Sequence, residues 1–425
     1  MQELSGASPG SAPRPACGTA QPRPGLTIED GRVTGADILA EMTGFAREAD
    51  TTGGLGGQLY VVTDDRDYDV RKGDKPIPGT LRYGVDQARA RKVPMWVVFG
   101  AGQSGPMTID VKWQMDLPDN LTIDASCKNV VLQATQHTMV LYIRDSRNVI
   151  LYGLTLRRTD FDLHNPPRRT LTDILRSDGA TDRIWVAHND FSLCGHGCFD
   201  IVVTPGEKPW PAGALSRITV AFNRFRDSDR VMIYGFTDCE VQQVPNCTRE
   251  KVKEYREGST RMFLTLQGNV FHGAAQRMPR ASGRAFADVF NNVFAFEPLR
   301  HVDGRPYTAS YAAVALSGAT LLVEQNWFGQ LTETSRPPLG AWTITTPAAM
   351  RMPHESDGRL RTTGNLTAAN EVLGQTRPES VADPLYRSRE TVLDFSKLGA
   401  VRAGACVLRR AGPGGTMAWD SELCQ

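Results

Sequence analysis

One pattern constrains this chain more than any other: a short apolar strand that ends, again and again, in Asn-x-Phe. It reads Ile184-Trp-Val-Ala-His-Asn189-Asp-Phe191, then Ile218-Thr-Val-Ala-Phe-Asn223-Arg-Phe225, then Phe263-Leu-Thr-Leu-Gln-Gly-Asn269-Val-Phe271. It returns as Asn292-Val-Phe294 and as Leu321-Leu-Val-Glu-Gln-Asn326-Trp-Phe328. Apolar alternation marks strands, and a recurrence every few tens of residues marks a solenoid whose turns pack on their neighbours. The asparagines are 34, 46, 23 and 34 residues apart. The shortest interval gives a bare coil. The others are one coil plus inserted loops, which in solenoids gather on one face, often the binding face. Asparagine suits the strand end because its amide can bond backbone and its copies in adjacent coils, and because it tolerates a left-handed turn. Leu121–Asp124 and Asn148–Leu154 fit the same geometry. The pattern predicts an all-β parallel β-helix over a β-sandwich, with Trp185, Trp327 and the repeated phenylalanines in the core.

Charge narrows the partners. Lys+Arg of 48 against Asp+Glu of 47 gives a net charge of +1, which argues against nucleic acid but allows a local basic groove for an acidic polymer. No apolar run is long enough to span a membrane. The first 25 residues show neither the basic nor the apolar region of a signal peptide and read as disordered. Among eight cysteines, Cys194/Cys198 and Cys239/Cys247 can each close a short loop, and Cys17 can meet Cys406 or Cys424. That even set suits a secreted protein.

Arg277-Met-Pro279-Arg280, just upstream of Phe286-Ala-Asp-Val-Phe-Asn-Asn-Val-Phe294, resembles the pectate lyase family (polysaccharide lyase family 1), whose members usually read Arg-x-Pro-x-x-Arg here. Arg277 and Pro279 match, and Ser282 stands at the sixth position. Gly44-Phe45-Ala46, the Gly53–Gly57 cluster and Gln58–Asp64 look like the family's opening coil. Pro78–Arg82 and Trp96–Gly100 look like its first helix and strand. The resemblance implies a right-handed single-stranded β-helix over residues 26–330, after a disordered segment 1–25. A tail, 331–425, packs on the same domain. It further implies a secreted, monomeric lyase that cleaves a polyuronate such as polygalacturonate by β-elimination.

The resemblance assigns roles residue by residue. Arg277 is the base. Arg230, in Asp227-Ser-Asp-Arg230-Val-Met-Ile-Tyr-Gly235, replaces the family's substrate-binding lysine, and Arg280 also holds substrate. Arg284 is placed to supply the charge that Ser282 lacks. Calcium is the implied cofactor, with Asp200 and Asp173 as ligands. However, His196 occupies the position of another acid, and imidazole is a poor ligand for that hard ion. His196 with the arginines is the alternative to the ion, and a substrate contact is assigned to it. His188 reads as structural. Two rivals stay open: calcium-independent cleavage of esterified pectin or another uronan, and a non-catalytic polysaccharide-binding β-helix. A glycoside hydrolase would need paired carboxylates, for which Asp64-Asp65 is a weak candidate.

Overall fold

A computed structural model of the chain describes residues 25–100, 105–134, 138–161, 172–203, 213–236, 261–295, 312–316, 318–329, 358–367 and 400–413. Cys17, Cys239, Cys247, Cys424, the long insertion 236–260 beyond its first residue, and most of the tail lie outside those residues. Among the described residues the strands form three sheets, of 12, 9 and 7 strands. From Gln58–Val62 onward every pairing is parallel, and each successive coil adds a strand to each sheet in chain order. The arrangement is a parallel β-helix. An antiparallel hairpin, Leu26–Glu29 with Arg32–Ala36, precedes it.

Strands paired on both edges and covered on one or both faces favour the Val/Ile/Leu/Phe runs seen here. In the core, Phe191, Phe225, Phe271, Phe294 and Phe328 stack with ring centroids 5.0, 5.1, 4.9 and 4.7 Å apart. Beside them runs an amide ladder. Asn189 Nδ2 donates to Asn223 Oδ1 at 3.0 Å, and the same bond joins Asn223 to Asn269 at 3.1 Å and Asn269 to Asn292 at 3.0 Å. It continues to Asn326 and Asn365, each at 2.9 Å. One detail of the sequence reading changes. The left-handed residue is the one before each ladder asparagine: His188, Phe222, Gly268, Asn291, Gln325 and Gly364. The asparagine serves as the amide alone.

Two segments sit differently from the sequence expectation. The stack extends past residue 330, because Arg359–Thr363 and Leu366–Thr367 add another coil, with Asn365 in the ladder. Gly44–Glu48 is a short helix lying across the outside of the largest sheet rather than an end coil. Its Phe45 and Ala46 amides donate to Thr265 Oγ1 and Thr219 Oγ1. Gly44 has φ +60°, and a Cβ there would stand 2.3 Å from Thr265 Oγ1, so only glycine allows this approach. A helix, Leu81–Arg91, and a strand, Met95–Phe99, do form at the segments read as helix and strand, although the Gly44–Glu48 helix and three strands precede them.

Candidate active site

The 7-stranded sheet carries the chemistry on its outer face. Strand alternation sends Leu175, Ser177, Phe199 and Ile201 inward and leaves Arg176, Asp178 and Asp200 outward. Arg176 is the direct parallel partner of Asp200 in the register. Arg280 partners Ile233 on the next strands. The amide of Ile233 donates to Asp200 Oδ1 at 2.8 Å.

A loop closes over Asp200 from the strand before it. Cys194 and Cys198 form a disulfide there, and the Cys194 amide donates to Ser228 Oγ at 3.2 Å. Cys127 and Cys406 each take part in a further disulfide. The pinned loop aims His196 at two carboxylates: Nδ1 lies 2.5 Å from Asp173 Oδ1 and 3.9 Å from Asp200 Oδ2. Gly197 makes this packing possible. A Cβ at that position would fall 2.6 Å from Asp200 Oδ1 and 2.9 Å from Asp173 Oδ1. On its other oxygen Asp173 takes Arg176 Nη1 at 3.2 Å, and Arg176 also bonds Asp178. Sequence reading missed Arg176. Its three-residue spacing from Asp173 and its outward place in the strand are the signal that could have found it.

Arg277 has φ +64° at the turn between Val270–Gln276 and Arg280–Ser282. Its carbonyl accepts the Met232 amide at 2.7 Å. Arg277 is close enough to act electrostatically on both Asp200 and His196. Arg230 ends the neighbouring strand opposite Gln276, one residue before Arg277. Its Nε lies 3.3 Å from Asp229, which also accepts from Gln276 Nε2 at 3.1 Å. Asp173, His196, Asp200 and Arg277 thus share one spot, with Arg230 and Arg280 on the flanking strand ends. Ser282 is buried beside Gly235. Arg284 lies exposed on the turn beyond, against Gly318. His188 is buried elsewhere, 3.2 Å from Glu41 and stacked on Phe222.

The cluster perturbs its own charges. Burial pushes the Asp200 carboxyl up to about 7, and Asp173 adds to that, against the opposing pull of His196 and Arg277. Burial acts to lower the His196 pKa. The hydrogen bond to Asp173 and the charges of Asp173 and Asp200 outweigh it, so the imidazole is held above its ordinary value. Asp200 Oδ2 is buried without a hydrogen-bond partner among the described residues. Asp173, His196 and Asp200 offer donor atoms all within 4.8 Å of one another, a group able to hold a metal ion. That donor set does not fit calcium, which takes six to eight oxygens. Among the described residues only two carboxylates join the group, and the oxygens of Asp173 already meet His196 and Arg176.

No family model matches the chain. Pectate lyase of Lilium longiflorum is 28% identical over 272 residues, 60% of this chain and 51% of its own length. Probable pectate lyase 10 of Arabidopsis thaliana is 30% identical, over 59% of this chain and 49% of its length. The chain resembles the pectate lyases. It spans about half the length of the curated relatives it matches. Among solved structures, jun a 1, the major allergen from cedar pollen, is 23% identical with a TM-score of 0.60, covering 88% of this chain and 92% of that one. The thermostable pectate lyase PL 47 is 13% identical with a TM-score of 0.53, covering 89% and 99%. These likenesses establish a shared fold.

Proposed function

We propose that this chain cleaves a uronic-acid polysaccharide, polygalacturonate by default, by β-elimination. The observation that carries the proposal is that Arg277 lies close enough to act on both Asp200 and His196 where the chain enters the 7-stranded sheet. The similarity to pectate lyases supports it from a second direction. In the reaction a base takes the C5 proton, the electron pair forms the C4–C5 double bond, and the C4–O4 bond breaks. The departing O4 is protonated by solvent. Arg277 is the base in this account. A guanidinium yields its proton only where nearby positive charge lowers the cost, and Arg230 and Arg280 on the flanking strand ends supply such charge. The same two arginines, with Arg284 further out, hold the uronate carboxylates in charge-assisted, bidentate fashion. Stabilising charge that develops beside C5 is the main electrostatic task of the site.

Calcium, which the resemblance brings with it, would be held by Asp173 and Asp200 and would neutralise the uronate. Because the donor set does not fit that ion, no step here is routed through it. The bonded cysteines fit an oxidising compartment, so we also propose secretion and action as a monomer. Among the described residues no helix is long and apolar enough to cross a membrane.

The test follows the ultraviolet band of 4,5-unsaturated uronides with polygalacturonate, esterified pectin and other uronans. Product on polygalacturonate is expected. Absence of product on every uronan would overturn the proposal and favour a binding protein instead.

A further inference from the structure

We propose that Arg176 and His196 together occupy the place of a divalent cation in this cleft, so that the protein does not take calcium there. Asp173 is the hinge of the arrangement. Its Oδ1 faces the His196 imidazole at 2.5 Å and its Oδ2 faces the Arg176 guanidinium at 3.2 Å, which leaves no lone oxygen for an ion. Arg176 also grips Asp178 at 3.0 Å through a second nitrogen, so it cannot swing aside without giving up two carboxylates. It stands opposite Asp200 in the strand register and acts electrostatically on it as well. The Arg176 guanidinium, surrounded by Asp173, Asp178 and Asp200, keeps its charge.

The loop is built to keep this arrangement. The Cys194–Cys198 disulfide and the bond to Ser228 hold His196 over the carboxylates. Gly197 lets the loop press down until the two aspartates touch it. Arg277 also acts electrostatically on Asp200. A divalent ion entering here would have to displace Arg176 and His196 from Asp173 while gaining, among the described residues, two carboxylates. Calcium binds weakly to so few oxygens. Arg176 is therefore a positioning residue that holds Asp173 and supplies fixed positive charge. If the proposed lyase activity is correct, neutralisation of the substrate carboxylate falls to Arg280 and Arg230.

The experiment does not use turnover, so failure of the lyase proposal leaves it intact. The full chain is melted in chelator and in millimolar calcium, and calcium is titrated by calorimetry. The wild type is expected to show no shift in melting temperature and no binding heat. The double variant Arg176→Ser, His196→Glu frees Asp173 and adds a carboxylate, and should melt a few degrees higher with calcium than with chelator. The single variant His196→Glu should show a smaller rise. A calcium-dependent rise or saturable heat in the wild type would overturn the proposal, whether or not the variants fold. A double variant that stays folded but ignores calcium would overturn it too, since Arg176 and His196 would then not be what excludes the ion.

Discussion

At the scale of single residues, Asp200 shows how far burial governs the site. Its carboxyl is raised from 3.8 to about 7, first by burial and then by Asp173. A carboxyl raised in the folded state contributes stability that is complete below its unfolded pKa and is lost as pH rises through its folded one. His196, also raised, gives a slope of the same sign. The melting temperature should therefore fall as pH rises between about 4 and 7. Asp200→Asn should flatten that fall, as read by melting curves across the range. An equally steep slope in the variant would show that Asp200 is not the buried acid responsible.

At the scale of elements, the repeat was readable because its physics is local. Each ladder asparagine must present an amide at a strand end, and each following phenylalanine must stack, so both recur at fixed places in the sequence. Asn269→Ala removes the acceptor of the Asn223 amide, at 2.9 Å, and the donor to the Val220 carbonyl, also at 2.9 Å. Each buried group so orphaned costs about 1–3 kcal/mol. A clear drop in the denaturation midpoint is expected, and a change below about 0.5 kcal/mol would contradict the ladder's role. What was hard to read depended on contacts distant in sequence. The Gly44–Glu48 helix is placed by Thr219 and Thr265, more than 170 residues away. The coil at Arg359–Thr367 was obscured because Asn365 also opens an Asn-x-Thr sequon, and the strand before it, Arg359–Thr363, is rich in polar residues. Arg176 escaped notice because a strand arginine gives no motif of its own. Its meaning appears only when register sets it opposite Asp200. Arg277, Arg230, Asp173, Asp200 and His196 were visible one by one through the family resemblance; that His196 sits on Asp173 was not.

At the scale of the whole molecule, the stacked coils bring together residues more than 100 positions apart. Asp173, His196, Arg230 and Arg277 come from separate segments, and the parallel register lines them up where the chain passes from the 9-stranded to the 7-stranded sheet. The near-zero net charge of the chain leaves the local cluster of arginines to attract an acidic polymer. Under the proposed function this cleft performs elimination, with Arg277 at its centre. Mass spectrometry of the products from polygalacturonate tests it most directly, because elimination yields an unsaturated fragment lighter by one water than its hydrolytic counterpart. The account predicts unsaturated fragments from the wild type. It predicts a loss on the order of 10² or more in Arg277→Lys, with an unchanged melting temperature. Saturated fragments from the wild type, or undiminished unsaturated product from a folded Arg277→Lys, would contradict it.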